Sequence, residues 1–423
     1  MTEDYLHYLW KYKLFSMSDL FTFEGEQLEI VDFGFHNHDS GPDFSQGKVK
    51  IDNTTWAGNI EIHINSSDWL KHNHQTDKAY DSVVLHVVYN YDAEIKTSTG
   101  SIIPTLELKN RMDYSQFEEY QRFIFSSIPC SNSLQSVPDI IVSSTIEQML
   151  IERLASKAEL IKLELKKTNY DWEQVFFQYI AKAMGMKINS HPMEQLTKNT
   201  DVKLFSKLGD NLLATESILF GQAGFLENNK SENEYYNQLK KEYSFHQAKH
   251  NLIPINKVFW KFSKLRPPNF PTVRIAQLAQ LLISSVHLFD SLVVNKKSYK
   301  ELQKFLSISI EEGFWKNHYT FDKESNPIKK SIGKTLIDSI IVNTIAPFLY
   351  CYGKYKDEET YIDRAISLLV EIPAEENKIT RIFKDKLKIE NAGDSQAIIQ
   401  CHNEYCVNKK CLDCSIGIHI LKK

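Results

Sequence analysis

Residues 35–91 read FHNHDSGPDFSQGKVKIDNTTWAGNIEIHINSSDWLKHNHQTDKAYDSVVLHVVYNY. Val49 and Ile51, then Ile60, Ile62 and Ile64, are apolar at every second position, the period of strands with one buried face. The opposite register of the second run is polar: Asn59, Glu61, His63 and Asn65. Asp52-Asn53-Thr54-Thr55 between the runs has turn chemistry, which predicts a hairpin. A sheet with one apolar face and one crowded polar face points to a site. Of the fourteen histidines, His7, His36, His38, His63, His72, His74 and His86 fall in the first quarter of the chain, so chemistry is expected here.

Working outward, strands are expected around 28–33, 46–51, 58–65, 83–90 and 102–108. A helix with Ser66 or Ser67 as its cap is expected within 66–81. Tyr5, Tyr8, Leu9, Tyr12 and Phe15 are spaced for a helix packed on the sheet. These elements make residues 1–135 an α/β module. From Val142 the apolar period becomes helical and stays so, which predicts a helical region over 136–395. A Cys-rich tail, 396–423, is expected to pack on the body. The fold class is α+β, with a mixed N-terminal sheet.

At 423 residues, with 42% hydrophobic and 12% aromatic side chains, the chain can bury sizeable cores. A net charge of -4 argues against a globally basic nucleic-acid coat but leaves room for a local basic groove. Lys264, Arg266 and Arg274 around Pro267, Pro268 and Pro271 are candidates for phosphate contact. No run of about 18 apolar residues exists and the first residues lack signal-peptide features, so a soluble cytoplasmic protein with no membrane partner is expected. Oligomeric state is left open.

Asp43 stands at the start of one hairpin strand, and Glu61 and His63 lie on the next. Carboxylates from neighbouring strands suit Mg²⁺ or Mn²⁺, hard cations that activate water and offset phosphate charge. Asp43 is in phase with Val49 and Ile51, so an unbroken strand turns it away from Glu61. A bulge, or a position outside the strand, would restore it. His72, His74, Asp81 and Asn37 are candidates to assist. His72 and His74 diverge if their segment is helical. A rival carboxylate set is Asp92 with Glu107 and Lys109. The polar residues His36, Asn37 and His38 also suit a network that buttresses the Gly41-Pro42-Asp43-Phe44 turn.

The Asp43, Glu61 and His63 arrangement resembles the PD-(D/E)xK nuclease superfamily, with His63 standing where that superfamily has Lys. The resemblance implies a restriction-endonuclease-like hairpin and a divalent-metal-dependent phosphodiesterase acting on DNA or RNA, with Asp43 and Glu61 on the metal. The alternative is a non-catalytic protein that binds nucleic acid or protein through a degenerate sheet of this kind. A third possibility is a hydrolase with a His-rich Zn or Mn site, in which His63 converges with His72, His74 or His36.

Cys401, Cys406, Cys411 and Cys414 crowd the tail, and four thiols can hold Zn²⁺ or an iron-sulfur cluster. Some nucleases of that superfamily resemble this chain in carrying such a cluster with one distant ligand, a role in which Cys130 is the candidate. Over nearly its whole length the chain also resembles an uncharacterised bacterial domain-of-unknown-function family. GPDF at 41–44, GNIEIH at 58–63, SSDW at 66–69, LHVVY at 85–89, FGQAGFL at 220–226, RPPNFPTVR at 266–274 and the CLDC tail carry that resemblance.

Overall fold

The structure is a computed structural model and describes residues 1–37, 41–125, 128–227, 232–285 and 287–422. The chain divides into two units: residues 1–145 joined by 402–423, and residues 146–401.

The first unit is built on a mixed sheet. Its strands are β1 (Leu28–Asp32), β2 (Phe35–His36), β3 (Phe44–Ile51), β4 (Thr54–Asn65), β5 (Val83–Asn90) and β6 (Thr105–Glu107). They lie in the order β1-β3-β4-β5-β6, with β2 beside β3. The first neighbours run antiparallel, while β4 pairs parallel with β5 and β5 parallel with β6. Helix α1 (Glu3–Tyr12) begins at Thr2, whose side chain accepts from the Tyr5 N–H, and ends at Lys13 in the left-handed conformation. Its apolar stripe, Tyr5, Leu6, Leu9 and Trp10, shares one core with Val49, Ile51, Ile60, Ile62, Leu85 and Val87. Each of these side chains is nearly fully buried, worth about 1.5–3 kcal/mol apiece. Helix α3 (Tyr114–Phe125) adds Phe117 and Tyr120, and Leu412 of the tail enters the same core.

Two local devices place the polar face. Between β3 and β4 the register runs Phe44 opposite Ile60, then Gly47 opposite Gly58, so β3 carries one extra residue. Gln46 takes φ 59° at this bulge. The extra residue lets Phe44 join Val49 and Ile51 in the core and turns Asp43 toward the Glu61 side. The second device is the parallel pairing of β4 with β5, which forces residues 66–82 to cross one face of the sheet. The crossover holds only one helical turn, α2 (Asp68–Lys71), followed by 3₁₀ turns at His74–Thr76 and Lys78–Tyr80. Asp92 anchors its start, accepting from the Ser66 hydroxyl and from the N–H and hydroxyl of Ser67. A side chain at Gly58 would lie 2.4 Å from the Ser82 carbonyl, so glycine there lets the returning chain close on β4.

Among the described residues the strands of the second unit are the short pair Ser309–Ile310 and Lys330–Ser331, and its other regular elements are helical. Its RPPNFP segment forms a 3₁₀ turn, Pro267–Asn269, and then Pro271 opens the buried helix Pro271–Ser284, where its missing N–H costs nothing. Among the described residues one helical run, Lys334–Lys356, is long and apolar enough to cross a membrane, and 78% of its most apolar window is buried inside the protein. That burial marks it as a core helix. The run escapes a search for unbroken apolar stretches because Asn343 and Thr344 interrupt it within a π-helical turn.

Candidate metal centre

Glu61 and His63 project from β4 on the face opposite Ile60 and Ile62, and the crossover covers them. Both are buried, at 4% and 2% exposure. Above them His72 ends α2 and His74 starts the next turn, with Asn73 between them in the left-handed conformation at φ 62°. That one residue breaks the helical spacing that would separate the two rings. Asparagine tolerates this conformation better than other residues with a side chain, glycine excepted.

Donor atoms around a tetrahedral ion with bonds of about 2.0–2.2 Å stand roughly 3.3–3.6 Å apart. Here His63 Nε2 lies 3.1 Å from His72 Nδ1 and 3.6 Å from Glu61 Oε1, and His74 Nε2 lies 3.4 Å from the same oxygen. One nitrogen from each of the three imidazoles falls within 4.8 Å of the others. The spacing therefore fits a single ion, and an imidazole majority suits Zn, Cu, Fe or Ni better than Mg.

One of the two tautomers open to the His63–His86 pair suits that reading. His63 Nδ1 is 2.8 Å from His86 Nε2, a distance with room for one hydrogen. With the hydrogen on His63 Nδ1, His63 Nε2 turns a lone pair toward His72 and Glu61. His86 then carries its own hydrogen on Nδ1, which has no partner among the described residues. A ligating histidine commonly donates its other N–H to such an outer group, which fixes the ring. Trp69, fully buried, sets its edge against both His74 and His86, and Tyr80 stacks on His74 with centroids 3.7 Å apart. The site has an aromatic wall on one side, and His72 is exposed on the other.

Charge states follow from burial. Burial and the neighbouring Asp43 carboxylate push Glu61 up to about 9, against the opposing pull of the Asp43 N–H. Burial, with His72 and His74 nearby, pulls His63 down to about 3. Burial and His72 lower His74, and burial lowers His86 well below its ordinary range. The rings of His63, His74 and His86 are thus neutral at pH 7, the form in which imidazole binds a metal.

Asp43 clasps Glu61. Its N–H donates to Glu61 Oε2 at 3.0 Å, and its own Oδ2 accepts from the Ile62 N–H at 2.9 Å and faces His7 Nε2 at 3.2 Å. Burial pulls His7 down, but the hydrogen bond and charge of Asp43 outweigh it and leave His7 raised. His7 lines a groove of about 210 Å³ with His36, Lys11, Lys409, Lys410 and Asp413.

The remaining candidates are placed elsewhere. The Asn37 N–H donates to the Asp43 carbonyl and its side-chain amide to the Pro42 carbonyl, so it supports the turn. His36 stacks on Phe44, and His38 lies outside the described residues. Asp81 ties the N–H and hydroxyl of Ser98. Each member of the rival set makes its own bond: Asp92 caps the crossover, Glu107 accepts from the Tyr91 N–H, and Lys109 donates to Asn90. In the second unit Lys264 and Arg266 are exposed, whereas Arg274 is buried and donates to Gln277 and Asn269. Cys406, Cys411 and Cys414 belong to the first unit together with Cys130, and Cys401 belongs to the second. Sequence reasoning did not single out His7, Tyr80 or His86 as site residues. For His86 the signal was present, a lone polar residue inside the apolar run VVLHVVY.

The chain belongs to the family described as a protein of unknown function, DUF2851, whose model matches residues 3–378. The match spans the whole histidine and carboxylate cluster. No curated protein and no solved structure matches the chain.

Proposed function

We propose that the first unit is a divalent-metal-dependent phosphodiesterase acting on DNA or RNA, with the ion held by His63, His72, His74 and Glu61. The observation that carries this reading is the convergence of one nitrogen from each of His63, His72 and His74 within 4.8 Å of one another, with a Glu61 oxygen 3.6 Å from His63 and 3.4 Å from His74. A bound ion there supplies charge for a phosphate oxygen and lowers the pKa of water. Asp43 positions Glu61 through its backbone N–H. The exposed His72 side admits water and substrate, and Lys11, Lys409 and Lys410 in the neighbouring groove offer charge to a phosphate chain. His7, kept protonated more readily by Asp43, stands in the same groove to give a proton to the leaving oxygen.

The test is incubation of the protein, Glu61→Gln and His74→Ala with labelled single- and double-stranded DNA and RNA, with Mn²⁺, Zn²⁺, Mg²⁺ or chelator. Cleavage that needs a metal and falls at least about 100-fold in both variants is expected. Full activity in Glu61→Gln would overturn the assignment. A second reading, a binding protein with a non-catalytic sheet, is favoured by one observation: the Asp43 carboxylate is occupied by the Ile62 N–H and His7. Binding without cleavage under every metal condition would select it.

A further inference from the structure

The segment RPPNFPTVR has no part in the metal centre, and its second arginine is buried without a counter-charge. Arg274, 5% exposed, lies on the helix Pro271–Ser284. Its Nη1 donates to Gln277 Oε1 at 2.7 Å and its Nη2 to Asn269 Oδ1 at 2.6 Å, with Met186 Sδ 3.9 Å away. Its Nε–H has no partner among the described residues. Both oxygen acceptors are neutral amides, and both are fixed. Gln277 Nε2 donates to the Lys330 carbonyl at 3.1 Å, and Asn269 ends the 3₁₀ turn that Pro267 and Pro268 open. Among the described residues no carboxylate pairs with the guanidinium. Burial lowers Arg274 to about 10, which leaves it charged at pH 7, and a buried charge that lacks its opposite is costly to the fold.

Arg274 lines a cavity of about 700 Å³ within the second unit. That volume lies within the roughly 300–1,000 Å³ of pockets that hold small molecules. Exposed Lys187 lines it too, and among the described residues no Asp or Glu does. The helical run Lys334–Lys356 is apolar enough to cross a membrane, yet three of the four residues it gives to the cavity wall, Thr335, Ser339 and Asn343, are polar. Their spacing of four sets them on one face of the helix. Asn343 is locked there, its Oδ1 accepting from Lys157 Nζ at 2.9 Å and its Nδ2 donating to the Ser339 carbonyl at 3.1 Å.

We propose that this cavity binds a small organic anion whose phosphate or carboxylate group pairs with Arg274, with Lys187 adding charge and Thr335 and Ser339 offering hydroxyls. Two cations without an acid select for negative charge, and a guanidinium matches the paired oxygens of either group. The burial of Arg274 favours a ligand that enters the cavity over a nucleic-acid backbone lying on the surface. The site uses residues of the second unit alone, so it stands or falls independently of the phosphodiesterase reading.

The test is calorimetric titration and thermal unfolding of the full chain with inorganic phosphate, 5′-AMP or succinate at millimolar concentration, beside adenosine and sodium chloride at matched ionic strength. Binding of at least one of the three anions is expected, weakened about 10–100-fold in Arg274→Gln and about 3–10-fold in Lys187→Glu. Preference for phosphate or AMP marks a phosphorylated ligand and preference for succinate a carboxylate; either supports the site. Stabilisation matched by sodium chloride or adenosine overturns it, as does equal affinity in the parent and Arg274→Gln, or no binding of any of the three. Should Arg274→Gln fail to fold, Thr335→Trp decides instead, since residue 335 is exposed and a bulky ring there obstructs the cavity. Loss of anion binding in that variant supports the site, and unchanged affinity refutes it.

Discussion

His63 and His72 bring Nε2 and Nδ1 to 3.1 Å from nine residues apart, one ring on a strand and the other at the end of a single helical turn. The third ring, His74, joins them only because Asn73 takes positive φ. A β-branched residue there is strained by roughly 1–2 kcal/mol, whereas glycine is not. Asn73→Val should therefore weaken metal binding about tenfold with the fold retained, and Asn73→Gly should bind as the parent does. Equal affinities for the two variants in a Zn²⁺ or Mn²⁺ titration would remove the backbone from the explanation.

His86 is not among the proposed ligands and acts through one of them, His63. Replacing it by Phe deprives the His63 Nδ1–H of its acceptor, and loss of such an outer partner typically costs about 10–100-fold in metal affinity. His86→Gln, which can still accept, should recover much of it. Competition against a chromophoric chelator measures both, and an unchanged affinity in His86→Phe would show that the hydrogen lies on the other ring.

Glu61 gives the metal-free protein a distinctive dependence on pH. Its folded pKa, about 9, lies above the ordinary value of 4.5, so its contribution is complete below pH 4.5 and is lost as pH rises through 9. His63 is depressed to about 3, so its contribution is present above pH 6.5 and is lost only on acidification. Between pH 6.5 and 9 the raised His7 adds to the Glu61 effect with the same sign, as does Glu216, raised to about 8, while Lys157, pulled down to about 7, opposes them. The Glu61 share alone lowers stability by at most about 1.4 kcal/mol per pH unit in chelator-treated protein. Urea unfolding of Glu61→Gln beside the parent should show the slope shifted upward by up to that amount. An equal slope in that variant assigns the effect to other groups.

Asp43 is bonded as a brace. Asp43→Ala should lower stability by about 1–3 kcal/mol, since it strands the buried Ile62 N–H and frees His7. Asp43→Asn keeps an acceptor for Ile62 and should cost less. Metal affinity measured on the Asn variant separates bracing from ligation: a drop much beyond tenfold would make Asp43 a ligand.

Period-two patterning identified β3 and β4, because strands with one buried face place an apolar residue at every second position. It could not supply the bulge at Gln46, which depends on how two strands settle against each other and which decides the side Asp43 occupies. The crossover was harder still. Ser66 to Asp81 has the polarity and cap of a helix, yet it forms one turn and two 3₁₀ pieces, and the meeting of His72 with His74 follows from that break. His86 was hidden by its own neighbours, since one imidazole in an apolar strand also suits an ordinary core residue. The tail shows the reverse limit: closeness in sequence grouped Cys401 with Cys406, Cys411 and Cys414, yet Cys401 falls in the second unit and the other three in the first with Cys130, the distant candidate that the nuclease resemblance had implied.

Residues 402–423 complete the module begun by residues 1–145, and the 256 residues of the other unit, 146–401, intervene. At about 5–20 residues per second of synthesis, the turn Pro129–Asn132 emerges from the ribosome on the order of 15–50 s before the helix Ser415–Leu421 that packs on it. The half-built module must wait through that interval with Tyr120 and Phe117 lacking the cover of Leu412. Chains stalled or truncated before residue 402 should consequently accumulate as protease-sensitive, chaperone-bound species even though every histidine of the metal centre has already been made.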